Sequence, residues 1–246
     1  MPTVKLVVEY DGTSYAGWQR QPAQPTIQAA IEHAIYQVSH ATVALIGAGR
    51  TDSGVHALGQ VASFRTDCDW PATSWMRALN AVLPNDIAVR AAAIMDDRFH
   101  AQHDARGKLY TYRILHRQPK PTLDRAFVWH ICRPMDEAAM HKAAASLLGT
   151  QDFSSFEGSR TDNTNPICQL QRFAVLRQGD EIRIEAYADR FLKHMVRAMV
   201  GTIVDVGLGQ RTPHSLTEVL KAKDRRAGGV TAPPHGLCLT RVDYGD

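Results

Sequence analysis

The sequence predicts an α+β fold with mostly antiparallel sheet, arranged as two halves that meet near Asp104. Two runs alternate apolar residues with period two, Val4-Leu6-Val8-Tyr10 and Ile182-Ile184-Ala186, as half-buried strands do. Two others repeat apolar residues at helical spacing, Ile27-Ile31-Ile35-Val38 and Phe191-Met195-Ala198-Met199-Ile203. Strands and helices occur in both halves, but without the strict alternation of a doubly wound parallel sheet.

In chain order, the opening strand ends at the turn dipeptide Asp11-Gly12. Thr26 is placed to cap the first helix after Pro22 and Pro25. A glycine-rich turn spans Gly47 to Gly54, followed by a strand near Gln60 to Phe64 and a helix from Ala72 to Leu83 that Pro84 stops. Strands are expected near Leu109 to Leu115 and Ala126 to Ile131, then a helix from about Asp136 to Leu148 closed by Gly149. Phe173 to Leu176, the turn residues Gln178-Gly179-Asp180 and the run from Ile182 make a hairpin. The second apolar stripe is a helix running from Phe191 onward. Thr212-Pro213 is expected to cap a short helix carrying Leu216, Val219 and Leu220, and Leu237 to Tyr244 reads as a final strand. Gln151 to Pro166, rich in Ser, Asn, Asp and Thr, reads as a long loop, either mobile and functional or an insertion.

Composition excludes several classes. With 44% hydrophobic and 22% charged residues over 246 positions, the chain is neither disordered nor collagen-like nor a coiled coil. The net charge of +3 gives a weak overall field, so a polyanion must be held by a local basic groove. Cys68, Cys132, Cys168 and Cys238 are dispersed, with no CxxC, which fits reduced thiols in a cytoplasm. The N-terminal run is too short and too charged for a signal-peptide core, and Arg197 and Asp205 interrupt the apolar run from Met195 to Gly209. Secretion and membrane insertion are therefore not expected.

Motifs narrow the chemistry. His100 and His103 share an HxxH spacing, but no nearby Cys or Glu completes a ligand set, so no metal is expected. Gly47-Ala48-Gly49 lacks the third glycine of a dinucleotide fingerprint, and no P-loop appears; no nucleotide cofactor is expected. The turn Arg50-Thr51-Asp52-Ser53-Gly54-Val55-His56 packs three ionisable groups between glycines. Asp52 there either caps backbone N–H groups or stands exposed as a nucleophile or base, with Arg50 as an anion contact. In Lys108-Leu109-Tyr110-Thr111-Tyr112-Arg113, cations interleave with aromatic rings. That pattern suits phosphates and unpaired bases, or equally a sheet core with a solvated charged edge. On a strand Tyr110 and Tyr112 share one face. Lys221, Lys223, Arg225 and Arg226 form a second basic cluster, read as a helix end or a phosphate site. Arg197, inside an apolar run, either snorkels to solvent or pairs with a carboxylate, for which Asp52 is suitable.

Taken in order, Tyr10-Asp11-Gly12-Thr13, Gly17-Trp18-Gln19-Arg20-Gln21, Gly49-Arg50-Thr51-Asp52-Ser53-Gly54-Val55-His56-Ala57, Phe99-His100-Ala101, Lys108-Leu109-Tyr110-Thr111-Tyr112, Met195-Val196-Arg197 and Ala232-Pro233-Pro234-His235-Gly236-Leu237 make a chain that resembles the tRNA pseudouridine synthase A family. The resemblance runs from Tyr10 to Tyr244 and implies an isomerase that converts uridine to pseudouridine at positions 38, 39 and 40 of the tRNA anticodon stem-loop. It implies no cofactor and no metal, a cytoplasmic homodimer, and two related α+β halves facing across a central cleft. Residues 1–104 would carry the catalytic Asp loop and residues 105–246 the Tyr, Arg and Leu motifs. By the same resemblance Asp52 is the nucleophile, attacking either the uracil ring or the ribose anomeric carbon. Tyr110 stacks on the target base and removes the C5 proton, Arg197 pairs with the Asp, and Leu237 lies beneath the uracil. The sequence departs from the family at Gln102, where Arg is usual, at Ala198, where Asn is common, and at Ser53, where Ala is usual. An RNA-binding module without catalysis would keep the basic groove and the tyrosines but gives no reason for the Asp and Arg. An acid hydrolase would want a second carboxylate beside Asp52, where Arg50 and His56 stand instead.

Overall fold

The computed structural model describes residues 1–158 and 165–245. Its contacts divide the chain into two compact units, Met1–Arg106 with Cys238–Asp246, and Gly107–Leu237. The fold class is α+β with mostly antiparallel strand pairing, as the sequence predicts.

In the first unit β1 (Thr3–Tyr10) lies between β4 (Ile87–Met95) and β3 (His56–Arg65), antiparallel to both. The two-residue β2 (Ile46–Gly47) also pairs with β3, and β10 (Leu237–Asp243) joins β3 in parallel through Cys238 and Leu239. Thus Cys238–Asp246, assigned to the second half by position in the sequence, lies with the first unit, because its strand finds its partner there. Val4, Leu6 and Val8 are fully buried, together with Ile27, Ile31 and Ile35 of α1 (Ile27–Ser39) and Trp75 and Leu79 of α2 (Ala72–Val82). Thr26 caps α1 by accepting from the Ala29 amide at 3.4 Å. β4 has no counterpart in the sequence prediction.

The second unit pairs β5 (Gly107–Leu115), β9 (Glu181–Ala188), β8 (Ile167–Gln178) and β7 (Gly149–Asp152) in that spatial order, all antiparallel. The strand expected over Ala126–Ile131 shrinks to β6 (Trp129–His130), parallel to β5. Helix α3 (Glu137–Ala145) packs on β8 and on α4 (Met195–Gly207), while α5 (Ser215–Ala222) contacts α3. Asp136, the expected start of that helix, stands just before it and caps it, while Ser146 ends the helix and Gly149 opens β7 instead. α4 begins four residues later than its stripe suggests, since His194 has φ 62° and cannot continue a right-handed helix; Phe191 therefore lies outside it. The residue preceding α5 is His214, and no side chain caps that helix, so Thr212-Pro213 does not serve as predicted. Of the expected loop Gln151 to Pro166, residues 151 and 152 are strand and Ser154–Phe156 form a 3-10 turn with Ser155 and Phe156 buried. Residues 159–164 lie outside the described residues.

Candidate active site

In the first unit the backbone of residues 48–56 is fixed from three sides. From within the sheet, Tyr10 at the end of β1 shares a 2.7 Å hydrogen bond with the Thr51 hydroxyl, and both groups are buried. Burial pushes the Tyr10 hydroxyl well above the ordinary tyrosine range, against opposing hydrogen bonds from Thr51 and Gln60, so it stays protonated. From β3, the fully buried Gln60 donates to the Gly49 carbonyl at 2.8 Å, and the Ala48 amide donates to the Val61 carbonyl at 2.7 Å. From residues 11–18, the Trp18 amide donates to the Thr51 carbonyl at 3.1 Å, and the Ser53 hydroxyl donates to the Tyr15 carbonyl at 3.1 Å. Gly17 permits this approach: with φ +101°, its backbone lies so near that an added Cβ would stand 2.6 Å from the Thr51 oxygen.

Asp52 itself opens a β-turn that the Val55 amide closes onto the Asp52 carbonyl at 3.1 Å, with the positive φ (74°) at Gly54 that a type II turn needs at its third position. The turn chemistry read from the sequence is thus real, and it leaves the Asp52 side chain half-buried and Arg50 exposed. His56, buried at the start of β3, ties the turn to residues 11–13. Its Nδ1 lies 3.1 Å from the Gly12 amide, which donates to it when the ring is neutral, and 3.1 Å from the Asp11 carboxylate, which accepts when that nitrogen is protonated. Burial pushes the Asp11 carboxyl up, but bonds from the Thr13 hydroxyl and amide and the field of His56 outweigh it and hold the group below its ordinary value.

The second unit gathers Tyr110, Tyr112, Arg197 and the segment leading to Leu237. Tyr110 and Tyr112 share the buried face of β5, 7% and 0% exposed. Their roles divide. Tyr112 donates to the Pro233 carbonyl at 2.8 Å, and burial pushes its hydroxyl far up, only partly opposed by Arg197; it is a fixed donor. Tyr110 instead meets Phe191 edge to face at 5.2 Å, the contact that Phe191 makes in place of extending α4. Arg197 lies in the first turn of α4, where most positions are buried. Its Nε donates to the Ala232 carbonyl at 2.9 Å, while its own carbonyl accepts from the Ala232 amide at 3.0 Å. The side chain is half-buried, and its Nε is held by backbone. The 232–236 segment is thus pinned at Ala232 and Pro233, and it closes against Tyr112 so tightly that a Cβ on Gly236 would lie 2.6 Å from the ring. Leu237, 5% exposed, follows directly.

Of the predicted residues, Asp52 and Arg50 belong to the first unit, and Tyr110, Arg197 and Leu237 to the second. Gln60 and the hydroxyl of Tyr112 escaped the sequence reading; the only hint was a polar residue at an inward strand position. The HxxH pair closes a turn: His100 Nδ1 accepts from the Gln102 and His103 amides at 3.2 and 3.1 Å. Gln102 is exposed there, and Ala198, the other departure from the family pattern, is fully buried in α4. In the basic cluster, Arg226 pairs with Asp224 at 2.7 Å and Lys223 with Asp152 at 3.0 Å. No helix among the described residues is long and apolar enough to cross a membrane.

A profile described as tRNA pseudouridine synthase matches residues 6–104 and 143–245. The chain is 47% identical over 245 residues to tRNA pseudouridine synthase A of Rhodospirillum rubrum, covering 99% of this chain and 88% of that one. It is 45% identical over 244 residues to the protein of that name in Thermoanaerobacter sp. strain X514, covering 99% and 100%. With the Caulobacter vibrioides NA1000 protein it shares 42% identity over 247 residues, covering all of both.

Proposed function

This chain belongs to the tRNA pseudouridine synthase family and isomerises uridine to pseudouridine in tRNA, and from that premise we propose that Asp52 is its nucleophile and Tyr110, Arg197 and Leu237 the groups that receive the uridine. The observation that carries this reading is the rigidity of the Asp52 turn. Tyr10, Gln60, Trp18 and Gly17 fix the backbone on either side of Asp52, an investment that a solvated turn cap does not need.

In the reaction the Asp52 carboxylate attacks either C6 of the uracil or C1′ of the ribose, and the N1–C1′ bond breaks. The freed base turns, C5 joins C1′, the carboxylate is released, and the C5 proton leaves. An ionised carboxylate is required, and a guanidinium held by backbone is suited to keep it so. The base must leave its stack to be reached; the Tyr110 ring offers it a face and the Tyr110 hydroxyl an acceptor for the C5 proton. Arg50, exposed beside the turn, contacts a substrate phosphate, and Leu237 lies beneath the uracil. We extend the proposal to uridines 38, 39 and 40 of the anticodon stem-loop, a homodimer, and action in the cytoplasm, all of which rest on the family resemblance.

Tritium release from tRNA labelled at uracil C5 tests the reading, because closing the C5 bond expels that hydrogen. Asp52→Asn is expected to abolish release while tRNA binding persists. Release at the wild-type rate from that variant would overturn the role of Asp52.

A further inference from the structure

We propose that Lys108 binds a phosphodiester of the tRNA backbone next to the uridine whose base rests on Tyr110. The proposal rests on the stacking role given to Tyr110 above and adds a recognition residue for the nucleotide's own backbone.

Lys108, Tyr110 and Tyr112 alternate on one face of β5, so Lys108 stands one pleat repeat from Tyr110, about 7 Å along the strand. A nucleobase and its own phosphate are separated by a comparable distance. The lysine is only 8% exposed, yet among the described residues it has no hydrogen bond and no ion pair within 4 Å. Its ammonium is therefore left without a contacting counterion in the folded chain, and the neighbouring charges do not supply one. Asp189 acts on it only at a distance, since Asp189 Oδ1 accepts from the Gln169 and Arg190 amides at 2.8 and 2.7 Å. Arg190 adds a second positive charge. Burial first, and then Arg190, push the lysine below its ordinary pKa against the pull of Asp189.

The same segment serves both residues: Asp189 and Arg190 lie beside Lys108, and Phe191 packs edge-on against Tyr110. Lys108 thus lies beside the ring that takes the base. A phosphodiester matches its charge and its spacing from Tyr110. A free carboxylate or metabolite anion would match the charge alone, without using the spacing to Tyr110.

The test uses full-length tRNA carrying one uncharged methylphosphonate linkage, placed either 5′ or 3′ of the uridine that the wild-type enzyme converts. Equilibrium binding is measured to the wild type and to Lys108→Met. One of the two linkages is expected to weaken wild-type binding by about tenfold, the scale of one charge-assisted contact, and to have no effect on Lys108→Met. The variant's log–log salt dependence should be shallower by roughly 0.7 to 0.9, one contact's share. Equal penalties in both proteins, or no penalty at either linkage in the wild type, would overturn the proposal. Lys108→Gln, uncharged but polar, gives the same comparison should methionine disturb the fold. Because binding is read instead of turnover, failure of the nucleophile assignment leaves this result intact. Tritium release by Tyr110→Ala tests the stacking role separately.

Discussion

Replacing Gly17 by Ala perturbs the Asp52 turn without touching any group that contacts substrate. The new Cβ would lie 2.6 Å from the Thr51 carbonyl oxygen, nearly an ångström inside ordinary contact. That oxygen cannot retreat freely, because it accepts from the Trp18 amide and its residue is tied to Tyr10. The positive φ adds strain of about 1–3 kcal/mol for a residue with a side chain. Gly149 provides the matched control, with φ +100° and nothing within 4 Å of its virtual Cβ. Gly149→Ala therefore carries the backbone strain and the unfolded-state effect of the alanine without the collision. Losing the Trp18 bond costs Gly17→Ala about 1 kcal/mol more. The larger difference is kinetic: if Asp52 is the nucleophile proposed above, shifting it by about 1 Å costs on the order of a hundredfold in rate. Single-turnover tritium release from C5-labelled tRNA should fall by about that factor in Gly17→Ala and stay within about twofold of wild type in Gly149→Ala. If both variants react at the wild-type rate, the contact between Gly17 and Thr51 does not set the position of Asp52.

Two further outcomes follow from the geometry. Tyr112→Phe removes the bond to the part-buried Pro233 carbonyl, a loss of about 1 kcal/mol; denaturant unfolding should show it, with the rate falling as the segment before Leu237 loosens, whereas an unchanged midpoint would contradict the pinning role. The Asp11 carboxyl is held below its ordinary value in the folded chain. Its contribution is therefore present above about pH 4 and lost as pH falls through the depressed value. The fall in thermal midpoint between about pH 5 and pH 3 should be shallower in Asp11→Asn than in wild type, and identical slopes would refute the assignment.

The elements that the sequence made legible are those whose burial follows their own periodicity. β1 and β9 alternate, α1 and α4 carry stripes, and Thr26 is a cap whose partner lies three residues away. β4 escaped because Ile87-Ala-Val-Arg-Ala-Ala-Ala-Ile-Met95 is alanine-rich and does not alternate; its strand conformation comes from pairing with β1. β7, four largely polar residues, is likewise made by its partner β8. At the site, Asp52, Tyr110 and Arg197 stand in recognisable motifs. Gln60 and Tyr112 act through backbone carbonyls 11 and 121 residues away, and no local pattern encodes a bond to a carbonyl.

The parallel pairing of β10 with β3 gives the molecule an order of assembly. The second unit is continuous in sequence, so a nascent chain that has emerged through Leu237 already holds all of its strands. The first unit is not: His56, at the foot of the Asp52 turn, waits for Cys238 until the entire second unit has been synthesised. On the ribosome, β3, the strand that follows the Asp52 turn, therefore gains its β10 partner only after the whole second unit has been made.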